Sequence, residues 1–314
     1  MLTEPSLTVL MTVYNGGRYL RTAMESILAQ TYRDFQFLIV DDASTDDSRD
    51  IIRSYEDPRI ELVALERNVG QTAALNIGLQ RARAPWLARM DADDYAAPAR
   101  LEEQMRWLAQ HPSVDCVGTF AWIFREDPRI VEGVVEKPVA DAAIKRELWR
   151  AVPMIHGTLI VRRSLLLAVG SYDERYRYSA DLELYHRLLP RCRAANLPQR
   201  LFGLRRRPGQ GSYSRGTVEE NLEIFSGMLA TRCRTRRERS MVRGSLAFTY
   251  CLRAGLERQD GRWGRMLGDW SRAFRWSPFT TLKQLAGPVL PSKARFRLRR
   301  WMSGPEVARS WETG

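Results

Sequence analysis

"LTVLMTVYNGGRYLRTAMESILAQTYRDFQFLIVDD", residues 7–42, decides the fold. Its flanks, residues 7–13 and 35–40, are apolar and rich in β-branched side chains over the length of a strand. Between them, residues 18–30 set Leu20, Ala23, Met24, Ile27 and Leu28 at helical spacing. Strand, helix and strand follow within about 35 residues, a βαβ unit whose two strands must run parallel.

The alternation continues outward. Residues 46–55 read as a second helix with Ser44 and Thr45 as candidate N-caps; a strand at 60–65, a helix at 71–83 and a strand at 86–90 follow. This predicts an α/β fold built on an open, mostly parallel sheet with flanking helices. Ligands of such sheets bind beyond the carboxyl ends of the strands. Polar clusters fall there: Tyr14-Asn15-Gly16-Gly17, Asp41-Asp42-Ala43-Ser44 and Asp91-Ala92-Asp93-Asp94. Further on, residues 114–118 and 157–161 read as strands and 181–189 as a helix, while the chain beyond Gly216 is mostly helical, broken by Pro and Gly around 278–291.

The cluster in "RMDADD", residues 89–94, poses a problem of charge. Carboxylates this close repel one another and need solvent, a helix N-terminus or a cation. Two readings stand: capping of the helix that begins after Pro98, or a divalent-metal site, since Mg²⁺ takes one or two carboxylates and completes its shell with substrate phosphates.

Composition excludes several classes. No apolar run approaches the roughly 18–20 residues that span a bilayer, and the first residues have neither a basic nor an apolar leader segment, so a cytosolic protein is expected. Cys116, Cys192, Cys233 and Cys251 form no C-x-x-C pair and are expected to be reduced. The net charge of +12 is local: residues 232–301 hold 18 Lys and Arg against 4 Asp and Glu, leaving the remainder slightly acidic. Such a field suits nucleic acid, anionic lipid or acidic glycans.

Residues 5–48, "RNVGQTAALNIGL" at 67–79 and "ARMDADD" at 88–94 together resemble the nucleotide-binding half of family 2 glycosyltransferases, which have the GT-A fold. The resemblance extends through "PMIHGTLIVRRSLLLAVGSYDE" (153–174) and "YSADLELYHRL" (178–188). It implies a catalytic domain over 1–216, with a nucleotide-binding half (1–112) and an acceptor half (113–216), and leaves 217–314 as a helical basic region. The implied reaction moves a single sugar from a nucleotide-diphosphate donor, with UDP the implied nucleotide, to a hydroxyl of a glycan or lipid-linked acceptor, with inversion and with Mg²⁺ or Mn²⁺. Polysaccharide biosynthesis at the cell envelope is the implied setting.

Roles follow by position. Asp42 would accept the ring N–H of a uracil-like base and Tyr14 would lie against it, with Thr12, Asn15, Asn68 and Asp91 completing the nucleotide set. Asn15 and Asp41 also suit a structural turn. Asp93 would hold the metal, with Asp94 sharing it. Asp181 would be the base that takes the acceptor's proton, Glu183 being the alternative and an N-cap role for Asp181 the competing reading. His156 is placed near metal and acceptor, or is a satisfied buried histidine. Arg205, Arg206 and Arg207 open "RRRPGQGSYS" (205–214), a loop implied to close over the diphosphate, or a solvated basic loop; the His usual in that loop is missing. Gln259-Asp260-Gly261-Arg262-Trp263 matches Q-x-x-R-W of processive synthases but lies too far beyond Asp181 and is read as chance.

Two other classes compete. A sugar nucleotidyltransferase would want a Gly-rich, Arg/Lys-containing loop after the first strand, of which Tyr14 to Arg18 is a poor version. A nucleic-acid-binding protein would want a recognisable module beside the charge, and none is present, so no nucleic-acid partner is expected. Aromatics interleave with the basic tail: Trp263, Trp270, Phe274, Trp276, Phe279, Phe296 and Trp301 with Arg262, Arg265, Arg272, Arg275, Lys283, Arg295, Arg297, Arg299 and Arg300. An anionic membrane surface is the expected partner, with peripheral attachment at the inner face of the cell membrane; packing of the aromatics on the catalytic domain, with the arginines solvated outside, is the competing reading.

Overall fold

The computed structural model describes residues 4–207 and 214–286. The chain divides into two units, Met1–Glu220 and Asn221–Gly314.

In the first unit, β1 (Leu7–Val13), α1 (Gly17–Leu28), β2 (Phe35–Asp41), α2 (Ser48–Arg53), β3 (Ile60–Ala64), α3 (Gln71–Arg81) and β4 (Trp86–Asp91) alternate as expected. β1 lies between β2 and β4, and β3 edges β2, all in parallel. Every residue of β1 and β2 is buried. Strands covered on both faces read as continuous apolar runs, which is why the quoted stretch identifies itself. On one face Val9, Met11, Phe37 and Ile39 meet Leu20, Met24 and Ile27 of α1. On the other, Leu10 lies so near Gly78 of α3 that a Cβ there would come within 2.3 Å of its Cδ1.

The remaining strands mix directions. After β5 (Tyr95–Ala96), α4 (Arg100–Gln110), β6 (Cys116–Phe124), β7 (Gly133–Val135) and α5 (Asp141–Glu147) come β8 (Ile160–Arg162), α6 (Arg163–Ala168), α7 (Ala180–Leu188) and β9 (Ala194–Arg205). The order is β3-β2-β1-β4-β8-β6-β9-β5, with β7 on β6; β8 is antiparallel to β4 and β6, and β9 is parallel to β6. The strand expected at 157–161 is a 3₁₀ turn, His156–Thr158, followed by β8. The strand expected at 114–118 starts at Cys116 and runs on to Phe124.

The described residues of the second unit are mostly helical, as expected for this region. α8 (Arg215–Thr231) leads into α9 (Arg236–Gln259), α10 (Trp263–Trp276) and α11 (Pro278–Ala286). Tyr250, Trp270 and Trp276 pack on Ala247, Cys251 and Ala273. Thr235 and Glu238 form a capping box that fixes the start of α9. All four cysteines are buried and unpaired by disulfide. Among the described residues no helix is long and apolar enough to cross a membrane.

Candidate active site at the carboxyl edge of the sheet

Strand register brings the polar clusters together. Thr12 stands opposite Val40 on one side and Asp91 on the other, and Val13 stands opposite Asp41. Tyr14 and Asn15, Asp41 and Asp42, and the Asp91 cluster therefore emerge at one edge.

Each cluster is held by its loop. Asp42 is buried, and its two carboxylate oxygens accept the N–H groups of Val69 (2.7 Å) and Gly70 (2.9 Å). Gly70 sits at φ +90°, a conformation that costs a side-chain-bearing residue dearly, so glycine there lets its N–H turn to Asp42. Each oxygen keeps a second lone pair for a ligand. Asn68 Nδ2 donates to the Asp42 carbonyl at 3.2 Å. Tyr14 is 51% exposed, leaving its ring face open to a planar group. Asn15 takes the turn role: at φ 50° it accepts from the Thr45 N–H at 2.8 Å, and its own N–H donates to Ser44 Oγ at 3.0 Å. Ser44 and Thr45 thus join loops rather than cap α2. Asp41 is likewise structural, fully buried against Arg49. Thr12 Oγ1 is buried without a partner among the described residues, a spare hydroxyl beneath this edge.

The acidic cluster is not a cap, since α4 begins at Arg100 with Ala99 as its N-cap. Its carboxylates have different fates. Asp91, with 27% of its side chain exposed, is bonded by Arg89 Nη2 at 2.6 Å. Asp93, 22% exposed, is paired with Arg207 Nε at 2.7 Å. Asp94 is only 4% exposed and accepts the N–H of Arg205 at 2.8 Å. Through this bond Asp94, expected to share the metal, ties the acidic loop to β9. Burial, reinforced by repulsion from Asp91, raises the pKa of Asp93, with Arg207 opposing; burial followed by repulsion from Asp93 and Asp91 lifts Asp94 well above the usual carboxylate range. Among the described residues no three acidic, histidine or cysteine side chains gather into a ready-made metal cage. Two accessible hard-oxygen donors in mutual repulsion still fit Mg²⁺ or Mn²⁺, which draw further ligands from phosphate and water.

Arg205, expected in the closing loop, is placed differently. It ends β9 and is buried, with Nε on the Asp93 carbonyl (2.7 Å), Nη1 on the Arg125 and Glu126 carbonyls, and its guanidinium 4.5 Å from the rings of both Tyr19 and Phe124. These bonds brace the acidic loop. Arg206 and Arg207 are exposed; residues 208–213 of the expected closing loop lie outside the described residues.

On the acceptor side, His156 Nε2 and the Tyr172 hydroxyl are 2.8 Å apart. Burial, with Arg89 adding to it and Asp91 opposing, drives the His156 pKa down to about 3, so the ring is neutral. Tyr172 is fixed by a mutual pair of bonds with Asn76 of α3, each 2.9 Å. Asp181 lies in the first turn of α7 and accepts the adjacent Leu182 N–H (2.7 Å); the N-cap is Ser179, so Asp181 does not cap the helix. Its pKa is raised by burial against the pull of the Leu182 N–H and Lys137, and the Asp91 charge adds to the rise. Glu183, the alternative base, is held by Arg187 through Nε and Nη2 at 2.6–2.9 Å.

The sequence reading missed Arg89 and Arg100. Both are fully buried; Arg100 donates to the Arg89 carbonyl at 2.9 Å and to Gln104 at 3.1 Å, and burial lowers its pKa to about 9. A signal existed for Arg89, a cation inside an apolar strand two residues before Asp91 and so on the same face. Nothing in the local sequence marked Tyr172.

The family model described as "Glycosyl transferase family 2" matches residues 8–170. The putative glycosyltransferase EpsE of Bacillus subtilis is 32% identical over 215 residues, 65% of this chain and 74% of that protein. The amylovoran biosynthesis glycosyltransferase AmsE of Erwinia amylovora is 27% identical over 248 residues, 77% and 90% of the two chains. Among solved structures, S. aureus TarS 1-349 in complex with UDP-GlcNAc aligns with a TM-score of 0.63 at 19% identity, covering 85% of this chain and 81% of that one. The mannosyltransferase PcManGT from Pyrobaculum calidifontis, in complex with GDP-Man and Mn²⁺, aligns at 0.62 and 17%, covering 100% and 89%. These structures share the GT-A fold with this chain.

Proposed function

The chain belongs to glycosyl transferase family 2, and from that premise we propose that it moves one sugar from a nucleotide-diphosphate donor, UDP-linked, to a hydroxyl of a glycan or lipid-linked acceptor with inversion. The observation that carries this reading is the register of β1, β2 and β4, which brings Asp42, Asp91 and Asp93 to one edge, with the Asp91 charge felt by Asp181. That TarS is described with UDP-GlcNAc supports the donor class.

Asp42 accepts the base N–H, and the exposed Tyr14 ring stacks on the base. Asp93, assisted by Asp91, holds Mg²⁺ or Mn²⁺, which supplies neutralisation of the leaving diphosphate. Arg207 exchanges its bond to Asp93 for a phosphate oxygen, with Arg206 beside it. Asp181 takes the acceptor hydroxyl's proton as that oxygen bonds to the anomeric carbon and the bond from that carbon to the diphosphate breaks on the opposite face. A carboxylate with a raised pKa is a stronger base for this work than an exposed one. Neutral His156, held by Tyr172, orients the acceptor. The helical unit brings the protein to an anionic membrane surface at the inner face of the cell membrane.

A panel of nucleotide sugars tests the proposal through donor turnover. UDP-sugar turnover should vanish in EDTA and in Asp93→Asn. Asp181→Asn should lose about a hundredfold or more in turnover while calorimetry shows donor affinity nearly unchanged. Full turnover in EDTA defeats the metal role, and equal losses of affinity and turnover in Asp181→Asn make that residue structural.

A further inference from the structure

The helical unit treats its arginines in two ways. Arg253 grips Asp269 through two bonds of 2.7 and 2.9 Å, Arg272 reaches the same carboxylate at 3.0 Å, and Arg262 binds Glu257 at 2.6 Å. Arg236, Arg239 and Arg243, by contrast, are exposed and have no carboxylate partner among the described residues. At i, i+3 and i+7 on α9 they share one face, where like charges repel. With Ser240, Trp276 and Ser277 they line a cleft of about 500 Å³. The acid in the same turn, Glu238, is already engaged, its Oε2 accepting the N–H groups of Arg234 and Thr235 at 2.8 Å each.

We propose that this cleft binds a phosphorylated anion carrying a phosphate or diphosphate group, at a site lined wholly by the helical unit. Guanidinium groups present paired N–H donors that match phosphate oxygens in a bidentate way, which a lysine ammonium cannot. An anion there supplies the counter-charge that the fold withholds. Headgroups of anionic lipids and soluble phosphorylated compounds share this chemistry, and two assays separate them.

The full-length protein is titrated with inorganic pyrophosphate in EDTA, so that no metal bridges pyrophosphate to the acidic cluster, and is separately sedimented with phosphatidylglycerol vesicles. Replacing Arg236, Arg239 and Arg243 together by Gln should weaken binding by about tenfold or more. Replacing all three by Lys, which keeps the charge, should still weaken it severalfold. A charge-matched Gln triple at Arg232, Arg237 and Arg258, outside the cleft, should change it little. Cleft-dependent binding of pyrophosphate identifies a soluble ligand, and cleft-dependent binding of vesicles alone identifies a headgroup. Equal weakening in the two Gln triples, or no binding in either assay, overturns the proposal.

Discussion

His156 shows how one side chain links site and stability. Its folded pKa of about 3 lies below the ordinary 6.5, so as the pH falls through 6.5 the unfolded chain takes up a proton that the folded chain refuses. Stability contributed by the neutral ring is therefore whole above pH 6.5, declines as the pH falls toward 3 and declines no further below it. Between pH 7 and 4.5 this one residue should cost about 2 kcal/mol. Urea unfolding at both pH values checks this: in His156→Gln, which can still bond Tyr172, the pH-dependent loss should shrink by that amount, and an unchanged loss refutes the assignment. At this scale the sequence was informative where a residue's position alone suffices. Asp42, Asp91 and Asp93 were found because strand ends are visible as breaks in apolar runs. Arg89, Arg100 and Tyr172 escaped because their roles come from partners distant in sequence, as when Tyr172 bonds Asn76, 96 residues away. The same blindness placed Arg205 in a loop, where its burial between two rings could not be foreseen.

Elements were legible in proportion to their periodicity. β1 to β4 and α1 to α3 lie within a few residues of their expected bounds because a doubly covered parallel strand and an amphipathic helix each write a strong pattern. The segment at 157–161 misled because Gly157-Thr158-Leu159-Ile160-Val161 has strand composition, yet its first residues must tuck under Asp91. The 3₁₀ turn does this, and only glycine fits: a Cβ at Gly157 would lie 2.6 Å from Phe202 Cζ and 3.2 Å from Asp91 Oδ2. Phe202 is fully buried and stacked against Arg100, so it has little freedom to yield. Gly157→Ala should destabilise the protein by about 1–3 kcal/mol, the usual cost of overpacking. Displacing Asp91 should also lower donor turnover, by up to about a hundredfold for a shift near 1 Å. Thermal unfolding and turnover measured on the same sample check both; a variant unchanged in both would show that the turn adapts freely.

At the scale of the whole chain, the all-parallel half of the sheet was readable and the mixed half was not, because β6, β8 and β9 pair across long intervening segments with no local signal of register. The basic region was read as an interleaving of aromatics and arginines, and the structure sorts these into different roles. Trp270 and Trp276 belong to the internal packing of the helical unit, Arg262 and Arg272 are ion-paired, and Phe296, Trp301, Arg295, Arg297, Arg299 and Arg300 lie outside the described residues, as does the side chain of Lys283. What stays on the surface is narrower. Trp263, Leu267 and Phe274 recur at helical spacing on α10 and are 59%, 63% and 42% exposed, with Asp269 and Ala273 buried elsewhere on the same helix. Arg265 and Arg275 stand exposed on that helix without a carboxylate partner among the described residues. Apolar side chains that sink to the headgroup boundary each contribute roughly 1–2 kcal/mol, and each nearby arginine about 1 kcal/mol on an anionic surface, enough together for reversible attachment. The intact protein should accordingly float with anionic vesicles at low salt, detach at high salt and ignore neutral vesicles. Replacing Trp263, Leu267 and Phe274 together by Ser should reduce flotation by about tenfold or more while leaving pyrophosphate binding by the arginine cleft unchanged. If the intact protein stays in solution beside anionic vesicles at low salt, or the triple variant floats as well as the wild type, the exposed stripe on α10 is not a membrane contact.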